Sequence, residues 1–103
     1  MVRCAGCGRE FRTDEPGERV ASISGGIMGD EYIDTWYLCP ACDCYTVDDY
    51  HDAFLGESTV RMRGPIGRTD GDPLVALIRR CDRPWDKKCR CPAHREYFND
   101  ALD

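Results

Sequence analysis

A chain of 103 residues with eight cysteines and a net charge of −5 supports one small domain, or two very small ones. A core of this size is marginal, so a disulfide or a metal site is expected to support the fold. The start MVRCAGCGREF lacks the apolar core of a signal peptide, and no run approaches the roughly 18 apolar residues that cross a bilayer. We therefore expect a cytoplasmic protein, without a membrane span, whose reduced cysteines bind metal.

The charge is unevenly distributed along the chain. From Val20 to Val60 there are eight acidic residues and no Lys or Arg, whereas from Arg79 to Arg95 there are seven basic residues against two acidic ones. The acidic total argues against nucleic-acid binding, because the net charge repels phosphates. A polarised chain can nevertheless present a basic face to a protein partner.

The first predicted elements are a cysteine-containing turn, from Cys4 to Arg12, and a β-hairpin, from Arg19 to Leu38. RVASIS and YIDTWYL predict the two strands because both are rich in β-branched and aromatic residues. The stretch GGIMGD between them supplies the glycines of a turn. The hairpin would return the chain to the neighbourhood of the first cysteines.

A helix is predicted in the stretch TVDDYHDAFLG, after the hairpin. Thr46 is the expected N-cap and Gly56 the expected end. The apolar residues recur at the spacing of one helical face, and they are Val47, Tyr50, His51, Phe54 and Leu55.

The C-terminal third is predicted to contain two helices, after a short alternating stretch and a Gly/Pro-rich loop. Asp72 is the expected cap of the first helix, with Pro73 at its first position, and the helix should end near Cys81. The second helix is expected to begin at Pro92. The predicted fold class is α+β, a hairpin followed by two or three short helices. A part at 1–45 and a helical part at 46–103 are expected to form one compact unit.

The first candidate metal set consists of two C-x-x-C pairs, CAGC and CPAC. A tight turn in each pair aims two sulfurs at one ion, and the hairpin would bring the two turns together as an S4 site suited to zinc. This set contains Cys4, Cys7, Cys39 and Cys42. Iron in the same site, as in rubredoxin, is the alternative, because ligand softness and geometry permit either metal.

The forms C-x-x-C-G of CAGCG and C-P-x-C of CPAC resemble the knuckles of a zinc ribbon. The resemblance covers about Arg3 to Tyr45. It implies a zinc-ribbon-like hairpin in a metal-stabilised domain. It implies no particular activity, because zinc ribbons occur in proteins of unrelated function.

The second candidate metal set lies in the basic C-terminal stretch and has the spacing C-x7-C-x-C-x2-H. Its members are Cys81, Cys89, Cys91 and His94. Three thiolates and one imidazole form a closed tetrahedral site of the structural kind, so the sequence predicts a second zinc ion. The other interpretation of His94 is a core histidine on the apolar face of the last helix.

Cys44 belongs to neither set. One interpretation places it with Cys81, Cys89 and Cys91 as the fourth thiolate of a [4Fe–4S] cluster, which would release His94 to the core. The other interpretation is a free, buried thiol that packs as a small apolar side chain.

The basic residues around the second set have two interpretations. They stabilise the thiolates and offset the negative charge of the site, and some can pair with the acidic middle of the chain. A docking face is the other possibility, with Trp85 as its anchor, because Trp and Arg are favoured at interfaces. The candidate partner-binding residues are Arg83, Trp85, Lys87 and Lys88.

No catalytic constellation can be assembled from the sequence. His51 lies near Asp48, Asp49 and Asp52, but it shares the predicted helical face with apolar residues, which favours core packing. We therefore expect a non-catalytic accessory or adaptor protein that holds two zinc ions and binds a protein partner. The alternatives are an iron–sulfur or rubredoxin-like electron-transfer subunit and, less favoured, a nucleic-acid-binding zinc protein.

Overall fold

The computed structural model describes residues 2–12, 18–53 and 55–102. The fold within these ranges is α+β, as the sequence predicts, but it has twice the expected number of strands. In chain order the elements are β1 (Arg19–Ile27), β2 (Asp30–Cys39), β3 (Cys44–Asp52), β4 (Ser58–Gly67), α1 (Arg68–Arg79) and α2 (Pro92–Tyr97). The four strands form one antiparallel sheet in the order β1-β2-β3-β4.

The predicted hairpin is confirmed as β1 and β2. Met28 and Gly29 form the two-residue connection between them, with φ angles of 53° and 85°. Two successive positive φ angles are what a tight hairpin needs to match the twist of its strands. The turn lies inside the glycine-rich stretch that separates the two strand-forming segments.

The predicted helix after Thr46 is wrong, because residues 44–52 form strand β3. The four-residue turn after Cys39 returns the chain directly alongside β2, where Trp36 pairs with Val47 and Asp34 with Asp49. Pairing with β2 on one side and β4 on the other satisfies the backbone of β3 along its length, which outweighs the weak helical spacing of its side chains. Of the predicted helical face, Phe54 lies outside the described residues.

Helix α1 begins at Arg68, four residues before the predicted cap. Asp72 lies within the helix and is not its cap. Its carboxylate accepts a hydrogen bond from Arg68 of the same helix at 2.6 Å and another from the hydroxyl of Tyr45 in β3. Helix α2 begins at Pro92, as predicted, with Cys91 as its N-cap. Neither helix in the described residues has the length and apolar character needed to cross a bilayer.

The sheet separates two clusters of buried side chains. Trp36 and Val47 face the helices and pack against Val75 and Ile78 of α1. Neighbouring strand residues point to opposite faces, so Tyr37 lies on the other side. That second cluster contains Val2, Cys4, Phe11, Tyr37 and Cys39. The predicted boundary at residue 45 falls within β3, so residues of both predicted parts share one sheet.

Candidate metal centres

The first candidate centre joins the N-terminal turn to the turn between β2 and β3. The sulfur atoms of Cys4, Cys7, Cys39 and Cys42 all lie within 4.8 Å of one another. Two of these separations are 3.9 Å, from Cys4 to Cys42 and from Cys7 to Cys39. Sulfurs bound to one tetrahedral zinc ion at about 2.3 Å are about 3.8 Å apart. The four thiols therefore have the spacing of ligands to a single ion.

The two turns of this centre share one backbone design. The N–H of Gly8 donates to the carbonyl oxygen of Cys4, and the N–H of Asp43 donates to that of Cys39, both at 2.8 Å. Each donor residue follows the second cysteine of its pair and has a positive φ, 80° at Gly8 and 54° at Asp43. Glycine and aspartate are among the residues that tolerate this conformation. The sequence forms CAGCG and CPACD thus build matched knuckles.

Long-range contacts hold the first knuckle against the sheet. The N–H of Ala5 donates to Oγ1 of Thr46 at 2.9 Å, and Thr46 is fully buried in β3. The ring of Phe11 stacks on that of Tyr37 with 5.1 Å between centroids. These contacts hold the first knuckle beside the second without requiring a metal ion.

The thiols of the first centre differ in acidity. Burial raises the pKa of Cys4, but the N–H groups of Cys7 and Gly6 and the neighbouring thiols outweigh that effect and lower the pKa to about 6. The pKa of Cys42 is raised, chiefly by the neighbouring thiol of Cys7. One sulfur is therefore already favoured as the thiolate that a metal requires.

The second candidate centre lies between the end of α1 and the start of α2. The ligand atoms of Cys81, Cys89, Cys91 and His94 all lie within 4.8 Å of one another. The sulfur of Cys81 is 3.7 Å from that of Cys89 and 3.3 Å from Nδ1 of His94. Tetrahedral zinc places two sulfurs about 3.8 Å apart and a sulfur and a nitrogen about 3.6 Å apart. This set also has the spacing of ligands to one ion.

His94 is completely buried and oriented by the edge of the sheet. Its Nε2 donates to the carbonyl oxygen of Ser24 in β1 at 2.5 Å. A carbonyl oxygen only accepts, so Nε2 carries the proton and Nδ1, which faces Cys81, is left free to bind a metal. A backbone carbonyl that fixes the tautomer in this way is usual for metal-binding histidines. The core-histidine interpretation accounts for the burial of His94 but not for this orientation.

The N-terminus of α2 favours a thiolate at Cys91. The N–H of His94 donates to the sulfur of Cys91 at 3.4 Å, and this hydrogen bond is the main reason that the pKa of Cys91 is lowered. Burial raises the pKa of Cys81 to about 12. Cys81 therefore needs a cation beside it to lose its proton at neutral pH.

Cys44 lies beside the first centre, not the second. It packs against the cluster that contains Cys4 and Cys39, whereas Cys81, Cys89 and Cys91 belong to a separate cluster. The predicted four-thiolate set of a [4Fe–4S] cluster is therefore not brought together. The [4Fe–4S] interpretation is wrong because the position of Cys44 depends on β3 pairing with β2, where it lies directly opposite Cys39. The packing of Cys44 against this cluster agrees with the other interpretation, a thiol that packs as a small apolar side chain.

Basic side chains do lie beside the second centre. Arg80, Lys88 and Arg90 line a cavity of about 420 Å³ together with Cys89 and Cys91. Among the described residues, Arg80 pairs with Glu96 and Arg95 with Asp100, and both acidic partners lie in the C-terminal segment.

Three acidic residues in the middle of the chain pair with arginines of β4 and α1. Asp34 pairs with Arg63 at 3.1 Å, Asp49 lies 3.7 Å from both Arg61 and Arg63, and Asp43 pairs with Arg68.

Trp36 and Trp85 have opposite environments. Trp36 is 1% exposed and lies in the core. Trp85 is 71% exposed and lines a cavity of about 380 Å³ with Pro84 and the edge strand β1. The N–H of Ser24 donates to the carbonyl oxygen of Pro84 at 2.7 Å, which fixes the loop that carries Trp85.

His51 is not the core residue that the predicted helix required. It is half-buried, its ring stacks on Tyr32 at 4.3 Å, and its Nε2 lies 2.8 Å from a carboxylate oxygen of Asp30. Because residues 44–52 form a strand and not a helix, His51 lies beside Tyr32 and Asp30 of β2.

No protein-family model, no curated protein and no solved structure matches this chain. The likeness to a zinc ribbon therefore rests on the two knuckles themselves, with their matched turns and four converging thiols. The second centre has its own geometric support in the orientation of His94.

Proposed function

We propose that this protein is a non-catalytic binding module whose small fold is held together by two structural zinc ions. The observation that carries the proposal is the spacing of two four-ligand sets, each matching the ligands of one tetrahedral ion. Each set supplies four donors, which leaves no position on the ion for a substrate. Zinc at these positions would supply cross-links between segments that are distant in the sequence and no reaction chemistry.

The charges around the sets are consistent with such ions. Zinc with three thiolates and one imidazole carries one net negative charge, and zinc with four thiolates carries two. Arg80, Lys88 and Arg90 lie next to the thiols of the second set and offset that charge.

Elemental analysis of anaerobically purified protein, together with its visible spectrum, tests the metal assignment. We expect two zinc ions per chain and no colour. Removal of the zinc with a chelator should unfold the protein, because metal-binding energy in such modules is folding energy. One iron per chain and a red protein would instead favour the rubredoxin-like alternative, since Cys7 and Cys42 are exposed and would bring an iron site close to the surface.

The binding surface that we propose centres on Trp85. Its indole is largely exposed on a loop held by Pro84 and by the second centre, so its position is fixed before a partner arrives. Arg83, Lys87 and Lys88 are exposed on the same loop, which favours an acidic protein partner.

Partner capture with matched variants tests this surface. Trp85→Ala should reduce the amount of the principal captured protein at least ~10-fold, as expected for an aromatic anchor. Leu55→Ala is the control, because Leu55 is 92% exposed and far from the loop in sequence. Equal capture by both variants would contradict the proposed surface. Retention of RNA or DNA at low salt, abolished by Lys87→Ala with Lys88→Ala, would support nucleic-acid binding instead.

A further inference from the structure

The first centre contains five thiols for four metal positions. We infer that Cys44 is a reserve ligand of this centre, able to take the place of Cys42 on the metal. This inference rests on the proposed zinc site and assigns a role to the one cysteine outside both ligand sets.

Three sulfurs surround the backbone of Gly6. A Cβ atom on Gly6 would lie 3.4 Å from the sulfur of Cys44, 3.5 Å from that of Cys42 and 3.6 Å from that of Cys4. The side chain of Cys44 also packs against the buried cluster that contains Cys4 and Cys39. Cys44 therefore packs against members of the ligand set, and its sulfur lies on the same side of Gly6 as those of Cys4 and Cys42.

Cys42 is the ligand that Cys44 can replace most readily. Cys4 is 3% exposed and Cys39 is fully buried, so release of either would leave a buried thiol without its ion. Cys42 is exposed, and its released sulfur would meet water. Cys42 and Cys44 follow the same turn and are separated only by Asp43. Exchange of one for the other on the metal therefore does not require the two knuckles to move apart.

The exchange conserves atoms, charge and electrons. The bond from zinc to the sulfur of Cys42 breaks while a bond to the sulfur of Cys44 forms, and the proton of the Cys44 thiol passes to Cys42. Zinc keeps four sulfur ligands and no electron is transferred. The outcome is a free thiol at the protein surface while the fold remains intact, which makes Cys42 available to thiol-modifying reagents.

Zinc stoichiometry and affinity of four variants test the inference, with cobalt(II) substitution reporting the number of thiolate ligands by its visible bands. Cys42→Ser should keep two zinc ions and four-sulfur cobalt bands, with an affinity within ~10-fold of the wild type. Cys42→Ser combined with Cys44→Ser should bind at the first centre at least ~100-fold more weakly. Cys7→Ser is the matched control, because Cys7 is an equally exposed ligand of the same centre; it should lose one zinc ion. Cys44→Ser alone should keep two.

Two results would overturn the inference while leaving the zinc site in place. The first is loss of one zinc ion from Cys42→Ser. The second is equal retention of zinc at the first centre by Cys42→Ser and by the double variant, since the replacement ligand would then not be Cys44. A wild-type protein without zinc at the first centre would contradict the proposed function itself, and the inference with it.

Discussion

Tyr97 of α2 donates a hydrogen bond of 2.6 Å to Oδ2 of Asp34 in the middle of β2. The same hydroxyl accepts a hydrogen bond of 3.0 Å from Nε1 of Trp36. Arg63 of β4 completes the group with a contact of 3.1 Å to Asp34. Burial raises the pKa of Tyr97, so the hydroxyl remains a donor. A polar network thus joins α2 to three residues of the sheet beneath it.

Replacement of Tyr97 by Phe should destabilise the protein by ~2–3 kcal/mol. The change removes the hydroxyl that accepts from the indole N–H of the buried Trp36 and donates to the carboxyl of Asp34, so each group loses one hydrogen bond. Chemical denaturation of the zinc-loaded protein measures the effect. Tyr50→Phe is the control, because the Tyr50 hydroxyl bonds only at 3.2 Å to an exposed serine, and it should cost less than ~0.5 kcal/mol.

Stability should depend on pH through Asp34. Burial raises the pKa of this carboxyl to about 6, with Asp49 raising it further and Tyr97 and Arg63 opposing the shift. A raised acid pKa means that the folded state favours the protonated form. This stabilisation is complete below pH 4, the unfolded value, and is lost as the pH rises through 6.

Asp34→Asn isolates this effect from acid release of zinc, which occurs in both proteins. The asparagine stays neutral, so its stability relative to wild type should increase by ~1 kcal/mol between pH 5 and pH 7. Denaturation of both proteins at each pH provides the comparison. A constant difference would show that Asp34 is charged throughout this range.

His94→Gln should remove one zinc ion and lower the free energy of unfolding by ~3 kcal/mol or more. The reason is that His94 supplies Nδ1 to the second set and Nε2–H to the edge of β1, and both roles end together. Elemental analysis and thermal unfolding measure the two effects. His51→Gln should keep both zinc ions, and unchanged stoichiometry in both variants would make His94 a core residue.

Gly71→Ala should destabilise the protein by ~2 kcal/mol although alanine is the better helix former. A Cβ atom at Gly71 would overlap Cδ2 of the buried Tyr45 ring and lie 2.7 Å from its Cε2, so α1 would have to move away from the sheet. Gly67, the N-cap of the same helix, has no atom within 4 Å of such a Cβ. Gly67→Ala should therefore change stability by less than ~1 kcal/mol.

The sequence alone predicted the features that depend on residues close together in the chain. Two residues between cysteines form a turn with its sulfurs on one side, and a glycine-rich break between β-branched segments forms a hairpin. Pro92 after Cys91 begins a helix. Each is a short-range preference of a few residues, which is why the knuckles, β1, β2 and the start of α2 are where the sequence indicates.

The tertiary structure decided what depends on residues far apart. Residues Cys44 to Asp52 form a strand because they pair with the edge of β2. That pairing places Cys44 opposite Cys39, beside the first centre, and His51 opposite Tyr32. The carbonyl of Ser24, 70 residues away, set the tautomer of His94. Burial among distant side chains likewise raised the pKa of Asp34. Strand pairing, desolvation and long-range hydrogen bonds each depend on residues that are brought together only in the folded chain. Local sequence patterns do not contain that information.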